Sequence, residues 1–135
     1  MMERGEVDRM TGIRGPTVYV VDGDRGVREG LQFLLGTLGL RVVTFRSAEE
    51  LLPGLEQDPP QCIITEVQLP GMSGLDLQRR LRATAIHVPV IVLAADADVR
   101  MAVRAMQLGA IDFIEKPFLE RSVVASVREA LGVTV

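Results

Sequence analysis

A doubly wound α/β domain, with five strands and five helices alternating around an all-parallel sheet, is the fold class that this 135-residue sequence predicts. Three observations predict it. Short β-branched or apolar runs recur five times, each is followed by a segment with helical apolar spacing, and the connections between them are short. Parallel neighbours need a crossover connection, which a helix in each gap supplies.

The first run, Thr17 to Val21 (T-V-Y-V-V), is β-branched and aromatic and leads directly into Asp22-Gly23-Asp24, a strand ending in a polar loop. Val27, Leu31, Leu34, Leu35 and Leu38 then mark one helix face, and Gly39 stands where a glycine usually ends a helix. Gly30 and Gly36 inside that helix each cost about 1 kcal/mol against alanine, so packing must hold it together. Arg41 to Phe45 is the second strand. Ser47 with Glu50 reads as a capping box opening a helix that Pro53 keeps short or broken, and Asp58-Pro59-Pro60 is loop. The run Cys62 to Thr65 is a core strand with Glu66 at its end, and Pro70, Gly71, Ser73 and Gly74 form the loop beyond it.

A helix from about Leu75 to Leu81 follows, with Arg79, Arg80 and Arg82 outward. Val88 to Leu93 is the fourth strand; Pro89 is tolerable near its start, and Ala94-Ala95-Asp96 follows it. Val99, Ala102, Val103 and Met106 mark the fourth helix, closed by Gly109. Ile111 to Ile114 is the fifth strand and Glu115-Lys116-Pro117-Phe118 a loop. Val123, Val124, Val127 and Leu131 are the inner face of the last helix. The expected strand order is the flavodoxin-like 2-1-3-4-5, in a domain spanning 16–135 after a flexible leader, 1–15.

Composition narrows the function classes. Hydrophobic residues make up 47% of the chain, which excludes a disordered segment. Fifteen basic against eighteen acidic residues give a net charge of −3, and without a basic run or basic helix face this segment is not expected to bind nucleic acid directly. The single cysteine, Cys62, falls inside a strand pattern and reads as a small buried hydrophobe. No apolar run approaches a membrane span and the N-terminus is no signal peptide, so a cytoplasmic location is expected. His87 reads as an exposed loop residue.

In such a sheet, ligands collect beyond the carboxyl ends of the strands. That edge would gather Asp22, Asp24, Glu66, Ala94 and Lys116. Carboxylates with a lysine suit a divalent cation and a phosphoryl group. Equally, Asp22 and Asp24 suit capping of the first helix while Lys116 pairs with Asp22, and spacing alone leaves both readings open. There is no G-x-x-x-x-G-K-[ST], and Gly23, Gly26 and Gly30 make no dinucleotide fingerprint.

The segments V-Y-V-V-D, L-P-G-M-S-G-L-D, A-M-Q-L-G-A and D-F-I-E-K-P-F stand in this order between about Pro16 and Leu131. On them the chain resembles a two-component response-regulator receiver domain, particularly the FixJ-like subgroup whose receivers usually precede a helix-turn-helix domain. The resemblance implies a kinase-derived phosphoryl group on an aspartate ending the third strand and Mg²⁺ held by an acidic pair after the first. It further implies a hydroxyl residue ending the fourth strand, an aromatic switch residue in the fifth, and a lysine followed by proline. Asp22 matches the first acid, Phe113 the aromatic residue, and Lys116 with Pro117 the last pair. Three positions depart: the second acid is Gly23, the acceptor is Glu66, and the hydroxyl residue is Ala94.

Each departure has a consequence. Glutamate lengthens the acceptor by one C–C bond of about 1.5 Å, which displaces its oxygens from an in-line geometry. Gly23 removes a ligand from an ion that demands near-ideal geometry, with Asp24 a partial substitute, and Ala94 offers no hydrogen bond. The resulting expectation is a phosphorylation-independent receiver: a non-enzymatic protein-interaction module with no required cofactor, where Asp22, Asp24 and Glu66 are at most a weak Mg²⁺ site. Glu66 paired with Lys116 would supply charges that a phosphorylated site brings together. The alternatives are a working phospho-acceptor using Asp22, Asp24 or Glu66, and a flavodoxin-like small-molecule binder. Against the last, the chain has no Trp and only Tyr19, inside a strand, as tyrosine.

Expected partners are an output domain, a sensor kinase or a second copy, engaged through the fourth helix, fifth strand and fifth helix. Val99, Met101, Arg104, Gln107, Lys116 and Arg121 fall on that face. Val99 and Met101 also read as ordinary helix packing, and Arg100, Arg104 and Arg121 as a solvated rim. No helix-turn-helix is present, so any DNA-binding output belongs to a further portion of the protein or to another protein.

Overall fold

The computed structural model describes residues 15–132. The expected leader, apart from Gly15, and residues 133–135 lie outside them. The strands are β1 (Thr17–Val21), β2 (Arg41–Phe45), β3 (Cys62–Glu66), β4 (Val90–Ala94) and β5 (Asp112–Glu115). They form one parallel sheet in the order β2-β1-β3-β4-β5, as expected. The helices are α1 (Arg25–Gly36), α2 (Ala48–Leu51), α3 (Gly74–Arg82), α4 (Val99–Gln107) and α5 (Glu120–Leu131), with a 3₁₀ turn at Leu52–Gly54. Among the described residues no helix is long and apolar enough to cross a membrane.

Every residue of β1, β3 and β4 is buried, because helices cover both faces of the sheet. Alternate residues point to opposite layers. Tyr19, Val21, Ile63 and Val92 pack with Leu51, Leu77 and Ala105 under α2, α3 and α4. Val18, Val20, Ile64, Ile91 and Leu93 pack with Leu31, Leu35, Val123 and Val127 under α1 and α5. Each fully buried aliphatic side chain of this kind contributes about 1.5–3 kcal/mol. Cys62 lies in the second layer, where burial pushes its thiol up to about 12. Tyr19 is likewise internal, edge-on to Phe45.

Local chemistry refines the element ends. Gly39, at φ +82°, closes α1 with a Schellman pattern, Leu40 N–H to Leu35 O and Gly39 N–H to Gly36 O. The capping box at Ser47 forms only in part. Ser47 Oγ accepts from Glu50 N–H, but Glu50 turns to the N–H and guanidinium of Arg46 instead. A complete box stands at Ser73, whose Oγ accepts from Asp76 N–H while Asp76 accepts from Ser73 N–H. Aspartate does this work one methylene shorter than the Glu or Gln of the usual pattern.

Candidate functional site

Asp22 directly follows β1, Glu66 ends β3 and Lys116 follows β5, so three strand ends converge on one point. Lys116 Nζ lies 2.7 Å from Asp22 Oδ2 and 2.7 Å from Glu66 Oε1. Sequence reasoning offered these pairings separately; both are present. The bond to Glu66 is a hydrogen bond, whereas the contact to Asp22 Oδ2 is an ion pair outside hydrogen-bond direction. The other Asp22 oxygen accepts from Asp24 N–H at 2.8 Å, and the Asp22 carbonyl accepts from Arg28.

The cluster is largely withdrawn from water: Asp22 is 0% exposed, Glu66 8%, and the Lys116 side chain 14%. Two carboxylates share one ammonium, leaving a net negative charge. Burial, reinforced by Asp22, raises the Glu66 carboxyl above its ordinary 4.5 despite the bond to Lys116. For Lys116 burial works the other way, but the two acids outweigh it and hold the ammonium above its ordinary 10.5.

The remaining predicted residues are placed as follows. Asp24 caps α1, its Oδ1 accepting from Gly26 N–H at 2.8 Å and Val27 N–H at 3.4 Å. Gly23 sits exposed between the acids, and a Cβ there would meet only Pro70 Cδ at 3.7 Å. Ala94 is fully buried, and its carbonyl accepts from Lys116 N–H at 2.8 Å. Phe113 is half-buried, packed against the layer that contains Ala94. Pro117 is exposed and follows a cis bond from Lys116.

These positions do not fit Mg²⁺. Lys116 Nζ already stands against both inward carboxylates, Gly23 contributes no side-chain oxygen, and Asp24 is engaged at a helix end. Among the described residues no three His, Cys, Asp or Glu side chains converge as ligands. Asp24 is therefore a cap, and the trio Asp22, Asp24 and Glu66 is not one cluster.

Two residues that sequence reasoning did not assign to the site shape the loop beside Glu66. Gly74 comes so close to the Glu66 carbonyl that a Cβ would lie 2.1 Å from it, while Gly74 N–H bonds Val67 O. Glu49, from α2, accepts from Met72 N–H at 2.8 Å and fixes the far side of the loop. The glycine was visible in S-G; nothing in the sequence links Glu49 to residue 72.

The expected partner face changes in composition. Val99 is 79% exposed, with Val103 and Met106 also exposed, while Met101 turns inward beside Ala105. Val99 is thus not ordinary helix packing, whereas Met101 is partly buried against the core layer. Arg100, Arg104, Gln107 and Arg121 are exposed, but Lys116 is committed to its acids. His87 is exposed, as expected.

The model of the response regulator receiver domain matches residues 18–128. The transcriptional regulatory protein FixJ of Azorhizobium caulinodans is 46% identical over 115 residues, 85% of this chain and 54% of that protein. Nodulation protein W of Bradyrhizobium diazoefficiens is 42% identical over 110 residues, 82% of this chain and 48% of that protein. The crystal structure of FixJ-N superposes with a TM-score of 0.81 at 36% identity, covering 91% of this chain and 98% of that one. The chain spans about half the length of these curated relatives. It belongs to the response-regulator receiver family and is FixJ-like.

Proposed function

We propose that this domain is a phosphorylation-independent receiver, a regulatory protein-interaction module in two-component signalling that keeps the receiver architecture without phosphotransfer. One observation carries the reading: Lys116 stands 2.7 Å from both Asp22 and Glu66, so the two acids of the pocket already share a cation from within the chain. The glutamate at the acceptor position and the lack of an oxygen-bearing side chain at Gly23 or Ala94 support it. The ammonium held between two acids favours a fixed arrangement of β3 and β5 ends, of the kind that a phosphoryl group would otherwise impose.

In this reading the module is not an enzyme and works in the cytoplasm. Its partners are proteins: an output domain, a sensor kinase or a second copy meeting the α4, β5 and α5 face. The exposed apolar stripe Val99, Val103 and Met106 supports that face as a contact surface. Relatives named as transcriptional regulators make control of transcription the proposed output.

Intact-mass measurement after incubation with acetyl phosphate and Mg²⁺ tests the proposal. No phosphoryl adduct is expected on the native chain, whereas Gly23→Asp, Glu66→Asp and Ala94→Thr combined should acquire one. An adduct on the native protein, lost in Glu66→Gln, Asp22→Asn or Asp24→Asn, would establish a working phospho-acceptor instead.

A further inference from the structure

A groove of about 570 Å³ runs between α1 and the segment that leads from Lys116 into α5. Its apolar lining includes Val27, Leu31, Leu34 and Phe118. The charged side chains along it are Asp24, Lys116 and Glu120. Mostly apolar walls with a few polar groups, at this volume, are the usual make-up of a small-molecule site.

Two features select the occupant. The first is charge. Lys116, the one cation on the lining, turns its ammonium inward to Asp22 and Glu66. Asp24 uses Oδ1 to cap α1, which leaves its other oxygen uncommitted. The Glu120 carboxylate has no ion pair or hydrogen bond among the described residues, and both acids are exposed. The groove therefore sets free negative charge beside apolar surface, and the matching occupant is a cation with an apolar body. The second feature is room. Gly26 and Gly30 stand one helical turn apart on the groove wall, and a Cβ at Gly30 would meet nothing within 4 Å. Gly30 is not among the glycines with positive φ, so neither packing nor backbone conformation calls for a glycine there. Glycine weakens a helix interior; what its missing side chain provides here is an open groove.

We propose that this groove binds a small organic cation, its apolar body against Val27, Leu34 and Phe118 and its ammonium or guanidinium group at the rim with Asp24 and Glu120. The occupant would bridge α1 and the loop that carries Lys116, and so bear on that loop from outside the buried acids. Asp22 and Glu66 do not line the groove and no phosphoryl group takes part, so the site stands or falls independently of the phosphotransfer reading.

The test is a methyl NMR titration of the full chain with tryptamine and with tryptophol, which share an indole body and differ in ending on an ammonium or a hydroxyl. Saturable shifts are expected at the Val27, Leu31 and Leu34 methyls. At low salt tryptamine should bind about fivefold more tightly, the upper end for an exposed charge contact, and the preference should shrink in high salt. In Asp24→Asn combined with Glu120→Gln the two probes should become equal, while asparagine still caps α1. Gly30→Leu, which fills the groove from a position with open space, should weaken both probes. If either variant fails to fold, the two probes on the native chain decide alone. Equal or reversed binding of the probes to the native chain, shifts centred elsewhere, unchanged binding to folded Gly30→Leu, a tryptamine preference kept by the folded double variant, or no saturable shift at millimolar probe would overturn the proposal.

Discussion

Gly74, the first residue of α3, and Gly23, in the loop after β1, flank the same pocket, yet a side chain added at each would meet very different surroundings. At Gly74 a Cβ would fall 2.1 Å from the Glu66 carbonyl oxygen and 3.0 Å from Val67 Cα, both backbone atoms that cannot step aside. At Gly23 it would find only Pro70 Cδ at 3.7 Å, an ordinary contact, and Gly23 is not among the glycines with positive φ. Packing therefore explains one glycine and leaves the other unexplained. The fold needs Gly74 in order to bring α3 against the end of β3. Nothing in the fold forbids an acid at residue 23, so the missing carboxylate concerns the chemistry of the pocket.

The largest effect should come from breaking the packed side. Gly74→Ala is expected to cost about 4 kcal/mol, in the exceptional tail of single substitutions, read as a lowered midpoint in urea unfolding. A near-neutral result would mean that the loop yields easily and that the two glycines are alike. Next comes the cation shared by the pocket. Lys116→Met leaves Asp22 and Glu66 facing each other without compensation and should cost about 3 kcal/mol, the lower end for a broken buried pair because Glu66 can take up a proton. Lys116 is held above its ordinary 10.5, so its contribution is complete below that pH and is lost as pH rises through the folded value. The deficit of Lys116→Met should accordingly shrink in strong alkali.

Smaller effects sharpen the other side. Glu66→Gln removes an ionised group that burial disfavours while keeping an oxygen for Lys116, and should change stability at neutral pH by less than about 1 kcal/mol. Because the Glu66 pKa is raised, its protonated form stabilises the fold at low pH, and that contribution fades as pH rises through the folded value. Native protein should thus gain on Glu66→Gln as pH falls toward glutamate's ordinary 4.5, measured by unfolding at a series of pH values. The smallest change is expected for Gly23→Asp, within about 0.5 kcal/mol of native by the same assay. A large loss there would show that packing excludes an acid after all.

Much of the domain was legible because the physics is local. The apolar runs of β1, β3 and β4 read as doubly covered strands, and each is buried throughout. Gly39 and Pro53 marked their helix ends through backbone constraints that hold in any context. At α4 the reading failed for a definite reason. Apolar residues lie on both sides of that helix, so Val99 and Met101 cannot be sorted by period alone; the fit of Ala105 against the layer beneath turns Met101 in and leaves Val99 out. The half-formed box at Ser47 is a similar case, since Glu50 found a charged partner at Arg46 that the pattern does not weigh.

The sequence by itself determined that Asp22, Glu66 and Lys116 would stand at strand ends on one edge, because alternation of strands and helices with short connections admits little else. It also determined which side-chain oxygens the pocket would lack, since neither Gly23 nor Ala94 has one to offer. Only the tertiary structure decided that one ammonium would serve both acids and that Asp24 would turn to its helix. Only it, too, left the Gln78 oxygen facing no donor. Those outcomes depend on distances of a few ångströms between segments tens of residues apart, and such distances are set by the packing of whole layers.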